Sequence, residues 1–122
     1  MKKDWLEATG SGDCKRVNAL LNADADINSL DGHGQTALMN AAYRGDTELV
    51  RLLVEKGANL NHTAKYNLSA LMLAVINEHL DIVRVLVTAG ADTKLKGLGD
   101  FACTPLEYAV KLGRHDMADI LR

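Results

Sequence analysis

Aromatic side chains are scarce in this 122-residue chain: one Trp, three Tyr and one Phe, 4% of the total. A core built on large rings is excluded, so the interior must be assembled from Ala, Leu, Val and Ile. A single proline, Pro105, excludes Pro-rich spacers. Two cysteines, Cys14 and Cys103, do not amount to a disulfide framework. No apolar run reaches the roughly 20 residues of a transmembrane helix. The start, MKKDWLEATGSG, has two lysines with no apolar stretch behind them, so no secretory signal core is expected. The expectation that follows is a cytoplasmic protein. A net charge of −2 provides no large field for nucleic acid or an anionic membrane, and neither partner is expected. What is present is ordinary for one globular domain: 48% apolar residues and 25% charged.

The chain is also internally repetitive. TALMNAAYRGDTELVRLLVEKGANLN, from Thr36, returns 33 residues later as SALMLAVINEHLDIVRVLVTAGADTK, from Ser69. In that register Leu38 meets Leu71, Met39 meets Met72, Ala41 meets Ala74, and Val50, Arg51, Leu53 and Val54 meet Val83, Arg84, Leu86 and Val87. Stepping back by the same interval places Trp5, Ala8, Val17 and Leu20 on Leu38, Ala41, Val50 and Leu53. Stepping forward by 35 places Thr104, Leu106, Ala109 and Leu121 on Ser69, Leu71, Ala74 and Leu86. Four units result, approximately 1–30, 31–63, 64–96 and 97–122, within one domain. The last ends inside its second helix.

Each unit reads as helix, tight turn, helix and extended hairpin. Thr36, Ser69 and Thr104 stand where an N-cap hydroxyl accepts from free helix N–H groups, an effect of about 1 kcal/mol. Leu38, Ala41 and Ala42 share a face of a first helix over 36–43. Gly12, Gly45 and Gly113 mark the turn, where the third unit has Glu78. The second helix, about 47–56, carries Leu49, Val50, Leu53 and Val54 at helical spacing. Glu48, Asp81 and Asp116 suit the positive end of its dipole. Gly57 and Gly90 supply a left-handed exit, where the first unit has Asp24. Helices this short are marginal alone in water. Stacking removes the difficulty, because each copy covers its neighbour.

These residues resemble the ankyrin repeat, whose pattern is Asp-x-x-Gly-x-Thr-Pro-Leu-His-x-Ala near the start and Gly-Ala-Asp after the second helix. Asp31-Gly32-His33-Gly34-Gln35-Thr36-Ala37-Leu38-Met39-Asn40-Ala41 matches most of it, Thr104-Pro105-Leu106 keeps the proline, and Gly90-Ala91-Asp92 keeps the exit. The resemblance covers nearly the whole chain. It implies an all-α solenoid of helix-turn-helix units joined by β-hairpin-like loops. The usual histidine is Met39, Met72 and Glu107, which removes the hydrogen bonds it would make to the turn. The hairpin's Asp and Gly become Ala64 and Asn67 in the third unit; Asn67 is able to take a left-handed conformation.

The family implies binding rather than catalysis, and the residues offer no chemistry against that. His33, His62, His79 and His115 have no metal-ligand spacing, and no Cys-x-x-Cys or His-Glu-x-x-His occurs. Cys14 and Cys103 lie three stacking steps apart, tens of ångströms at about 8–10 Å per step, too far for a disulfide. KGLGDFAC, Lys96 to Cys103, lacks the lysine and hydroxyl of a phosphate loop and reads as a hairpin lengthened by two residues. No enzyme, cofactor or metal is expected.

The resemblance also implies a concave groove of hairpin tips and exposed first-helix positions. Transferred position by position, the partner-binding candidates are His33 and Gln35; Tyr43 and Arg44; Lys65, Tyr66 and Leu68; Ile76 and Asn77; Phe101; and Lys111 and Leu112. Large apolar or aromatic groups at solvent positions mark interaction surfaces. The alternative for Tyr66 and Phe101 is that they pack on adjacent hairpins and stabilise the stack. The expected function is a protein-binding module, whether adaptor, scaffold or inhibitor. A monomer is expected, with self-association through the C-terminal repeat, as part of a longer array, as the competing reading.

Overall fold

A computed structural model describes residues 2–122. Among them are eight helices in four antiparallel pairs: α1 (Lys3–Ser11) with α2 (Cys14–Asn22), α3 (Ala37–Arg44) with α4 (Thr47–Glu55), α5 (Ala70–Ile76) with α6 (Leu80–Thr88), and α7 (Pro105–Lys111) with α8 (His115–Leu121). No strand is present among the described residues. The first helices stack in the order α1, α3, α5, α7, and the second helices stack as α2, α4, α6, α8. The result is the all-helical solenoid that the repeat implies. No helix of the described residues is long and apolar enough to cross a membrane.

Local sequence starts and stops these helices where the spacing predicts. Thr36, Ser69 and Thr104 accept hydrogen bonds from the N–H groups of Met39, Met72 and Glu107 at 3.2, 3.3 and 3.2 Å. Glu107 returns the favour, its Oε1 accepting from the Thr104 N–H at 2.9 Å, which completes a capping box. Those contacts hold the Glu107 carboxyl below the ordinary carboxylate range. Met39 and Met72, at the same position, are buried and apolar. Thus the usual histidine is replaced by packing in two units and by a cap in the fourth.

The turn between paired helices requires a left-handed residue: Gly12, Gly45 and Gly113 have φ of 71°, 87° and 70°. Glu78 takes the same conformation at φ 60°, against a steric cost of about 1–2 kcal/mol. Its carboxylate binds Arg114 Nε at 2.9 Å, a contact that sets the side chain across to the next unit. Asp24 at φ 67° does the work of Gly57 and Gly90.

The core is one cluster running through the whole stack. Leu38, Leu49, Val50, Leu53, Leu71, Val75, Ile82, Val83 and Leu86 are all essentially inaccessible. Ala41, Ala42 and Ala74 are fully buried where first helices approach one another. Small side chains at those places let the units close up. Leu53 is fully buried on α4, a helix that contacts its own partner α3 and the neighbouring α2 and α6. Leu53→Ala should destabilise the chain by about 2–5 kcal/mol, whereas Leu98→Ala, at a side chain 59% exposed, should change stability by no more than about 0.5 kcal/mol. Urea denaturation of the two variants followed by circular dichroism measures the difference.

Candidate functional site

A second set of bonds runs between units, from side chains in one helix turn to main-chain carbonyls of the preceding first helix. Arg44 Nη2 donates to Thr9 O at 2.8 Å, and also meets Asp46 Oδ2 at 3.3 Å. Asn77 Nδ2 donates to Tyr43 O at 2.8 Å. His79 Nε2 lies 3.1 Å from the same oxygen, so in this contact Nε2 carries the proton. Arg114 Nη1 donates to Val75 O and Ile76 O. Thr9 O and Val75 O also accept backbone N–H groups at the ends of their own helices, so the following unit adds a second donor there and caps the Tyr43 carbonyl from outside its helix. Asp13 and Asp46 cap α2 and α4 by accepting from Arg16 and Leu49 N–H at 3.1 and 3.2 Å. His79 and Arg114, at the equivalent place, make no such cap and serve the inter-unit bond instead.

The exit loops are stitched likewise. Asn28 Oδ1 accepts from Asn59 N–H, and Asn61 Oδ1 from Asp92 N–H, both at 2.8 Å. Together these bonds hold the units in register and present the hairpin tips and the open side of the first helices on one flank.

The tip of the second unit is organised by Asp31. Its Oδ1 accepts from the N–H groups of His33 and Gln35 at 2.8 and 3.0 Å, and its Oδ2 from Asn40 Nδ2 at 2.9 Å. Partial burial pushes the Asp31 carboxyl up, but the Asn40 amide and the two backbone N–H groups outweigh it and hold the group below its ordinary value. His62 Nε2 reaches the Gly34 carbonyl at 3.1 Å from the loop that follows.

The third tip has Ala64 in place of that acid and is built differently. Lys65–Asn67 form one 3-10 turn in which both Tyr66 and Asn67 are left-handed, at φ 59° and 55°. For a residue as bulky as tyrosine this is an uncommon conformation. The fourth unit's loop holds it: Leu98 N–H donates to Tyr66 O at 2.8 Å, and Asn67 Nδ2 donates to Lys96 O at 2.9 Å. The two-residue lengthening of that loop is what brings it across. Gly97 is buried beneath it, and a Cβ there would meet Phe101 O at 2.3 Å and Leu68 Cδ2 at 3.0 Å.

This arrangement aligns three rings. Tyr66 and Phe101 have centroids 6.0 Å apart, and Phe101 and Tyr108 6.2 Å apart. Lys65 Nζ lies 5.2 Å from the Tyr66 centroid, and the Arg114 guanidinium 5.8 Å from that of Tyr108. The strip therefore joins the third tip, the fourth tip and the inner face of α7.

The candidates taken from the sequence divide accordingly. Tyr43 and Tyr66 are 56% and 47% exposed, and His33, Arg44, Lys65, Lys111 and Leu112 are also on the surface. Gln35, Ile76, Asn77 and Phe101 are half-buried. Phe101 does pack on the neighbouring hairpin, as the alternative reading had it, while Tyr66 keeps nearly half its surface in solvent. Arg44 and Asn77 are engaged in the inter-unit bonds. Leu68 is a correction: at 8% exposure it belongs to the core, because it turns in under Gly97 immediately before the Ser69 cap. Tyr108 and Arg114 were missed. Tyr108 stands where the repeat has Asn40 and Leu73, and that drift of type from unit to unit was the available signal.

Burial pushes the Cys14 thiol up, with Asp46, Glu48 and Asp13 adding to it, so it stays protonated. Among the described residues no cluster of three or more His, Cys, Asp or Glu is placed to hold a metal ion.

Stacked helix-turn-helix units presenting hairpin tips and first helices on one flank define a helical-repeat solenoid. A family model described as ankyrin repeats (3 copies) matches residues 5–97, and the chain belongs to the ankyrin-repeat family. Among curated proteins no significant match is found. The family's repeats are generally protein–protein interaction modules.

Because the folded-state pKa of Asp31 is depressed, its contribution to stability is present above the unfolded-state value and is lost as pH falls through the folded one. The stability difference between wild type and Asp31→Asn should be largest near neutral pH. It should close as pH falls below about 4, as urea titrations at a series of pH values would show.

Proposed function

We propose that this chain is a non-catalytic module that binds another protein through the flank formed by the hairpin tips and the exposed side of α3, α5 and α7. The observation that carries it is the set of large side chains held in solvent there. Tyr43 and Tyr66 are about half exposed, and Tyr66 continues into the ordered Phe101–Tyr108 strip. Tyrosine supplies a large rigid contact area with a polar tip, which is why it is favoured in binding hot spots. The carbonyl caps from Arg44, Asn77 and Arg114 pre-order the backbone beneath, so little ordering entropy remains to be lost on binding. Its place in a cell, on this reading, is the cytoplasm, as an adaptor, scaffold or inhibitor that occupies a partner's surface.

Tyr43→Ser, Tyr66→Ser and Ile76→Ser should each weaken the complex by about 1–2 kcal/mol where they meet the partner. Tyr43→Ser should leave stability within about 0.5 kcal/mol of wild type. The measurement is affinity capture from the source cell followed by calorimetric titration of the captured protein. A triple variant that binds as tightly as wild type rejects the groove.

A second reading, self-association through the last unit, has one observation in its favour. Val110 is 54% exposed, whereas its counterparts Thr9, Ala42 and Val75 are buried beneath the following unit. Against it, Glu107 and Arg122 are exposed and charged where other units have Met39, Met72, Val54 and Val87. Such replacements suit a terminal cap. Light scattering across a concentration series separates the two: the groove reading expects a constant monomer mass, and a rising mass would favour the second.

A further inference from the structure

The flank is not electrostatically uniform, and its charges point to the chemistry of what it binds. Most of the acids along it are already engaged. Glu7 lies 3.3 Å from Arg16, Asp46 3.3 Å from Arg44, and Glu78 2.9 Å from Arg114. Glu107 is held by the Thr104 N–H, and Asp31 is occupied by three donors of its own tip. The lysines around the aromatic strip are different. Lys65 and Lys111 have no acidic partner within 4.0 Å among the described residues, whereas Lys96 faces the Glu107 carboxylate closely enough to stabilise its charge. Two of them lie along the strip: Lys65 Nζ is 5.2 Å from the Tyr66 centroid, and Lys111 is exposed three residues after Tyr108 on α7. Asp100 is the only unpaired acid at the same tips. A local excess of cations in a chain whose net charge is −2 is a feature of this place, not of the composition.

We infer that the third and fourth units take an extended acidic segment of the partner protein, with an apolar or aromatic side chain laid on the Tyr66–Phe101–Tyr108 strip and carboxylates set against Lys65 and Lys111. The inference rests on the groove reading above and adds to it the class of ligand. The tip is prepared for this use. The backbone at Tyr66 is held left-handed by the neighbouring loop, and its ring lies 6.0 Å from that of Phe101. Exposed ammonium groups beside an apolar strip attract carboxylates over a Debye length, about 10 Å at moderate salt, while the rings set the register.

The test uses a phage-displayed library of random peptides about ten residues long. Such peptides span roughly 30 Å when extended, enough to cross two units stacked about 10 Å apart. Peptides selected on the wild-type chain are then titrated by fluorescence polarisation against wild type, Lys65→Glu/Lys111→Glu and Tyr66→Ser. Circular dichroism verifies that each variant is folded. The expected result is selection of peptides rich in Asp and Glu with one or more large apolar residues. They should lose roughly tenfold or more in affinity on the double charge reversal. They should also weaken between about 50 and about 300 mM salt. Neutral or basic peptides that fail on Tyr66→Ser but not on the charge reversal would overturn the acidic ligand and leave the groove standing. Peptides that bind both variants like wild type would overturn the groove and the inference together, as would a library that yields no binder.

Discussion

Everything in this molecule depends on mutual burial between neighbours. Its helices are seven to nine residues long, below the length at which a helix persists alone in water. No pair has a core of its own. Leu53 and Leu86 are inaccessible only because a pair stands on either side. Stability in such an array is close to a sum of weak units and strong interfaces. The positions that tolerate change are therefore those that no neighbour touches. This separates the conserved-type positions of the stack from the free ones on the flank.

Apolar contact alone would leave the units free to slide or rotate. The carbonyl caps given by Arg44, Asn77, His79 and Arg114 are directional, and so are the loop bonds from Asn28 and Asn61. Each ties a side chain of one unit to the backbone of another at a fixed distance. The same bonds give the Tyr43 carbonyl its donors and add a donor to those of Thr9 and Val75. Register and polar satisfaction are thus achieved by the same few residues, and the binding flank inherits its rigidity from them.

The helices, their hydroxyl caps and their left-handed exits were legible residue by residue. Thr36, Ser69 and Thr104 act within three residues of themselves, and Gly57 and Gly90 answer a purely local steric demand. Repeat comparison located much of the core as well, since positions such as Leu38, Ala41, Val50 and Leu53 keep an apolar type in every copy. The flank was less legible. Tyr43 was placed in solvent by transfer from the family's first-helix positions, and it is 56% exposed. Leu68 was misplaced because its burial depends on a loop some 30 residues on, and on Gly97 having no side chain to keep it out. Tyr108 and Arg114 escaped because their partners, Phe101 and the carbonyls of α5, lie in other elements.

Sequence alone determined the period, the helix pairs and the identity of the family, because caps, turns and apolar spacing act within one unit and recur; the all-helical stack followed from each short pair needing its neighbour to cover it. Tertiary structure decided which exposed groups are spoken for. It gave Arg44, Asn77 and Arg114 to the preceding unit, turned Leu68 inward, held Tyr66 left-handed, and assembled three rings from three elements into one strip. Those outcomes come from contacts between units, where the meeting residues are far apart in the chain and differ from copy to copy. A period records what the copies share, and the binding flank is made of what they do not.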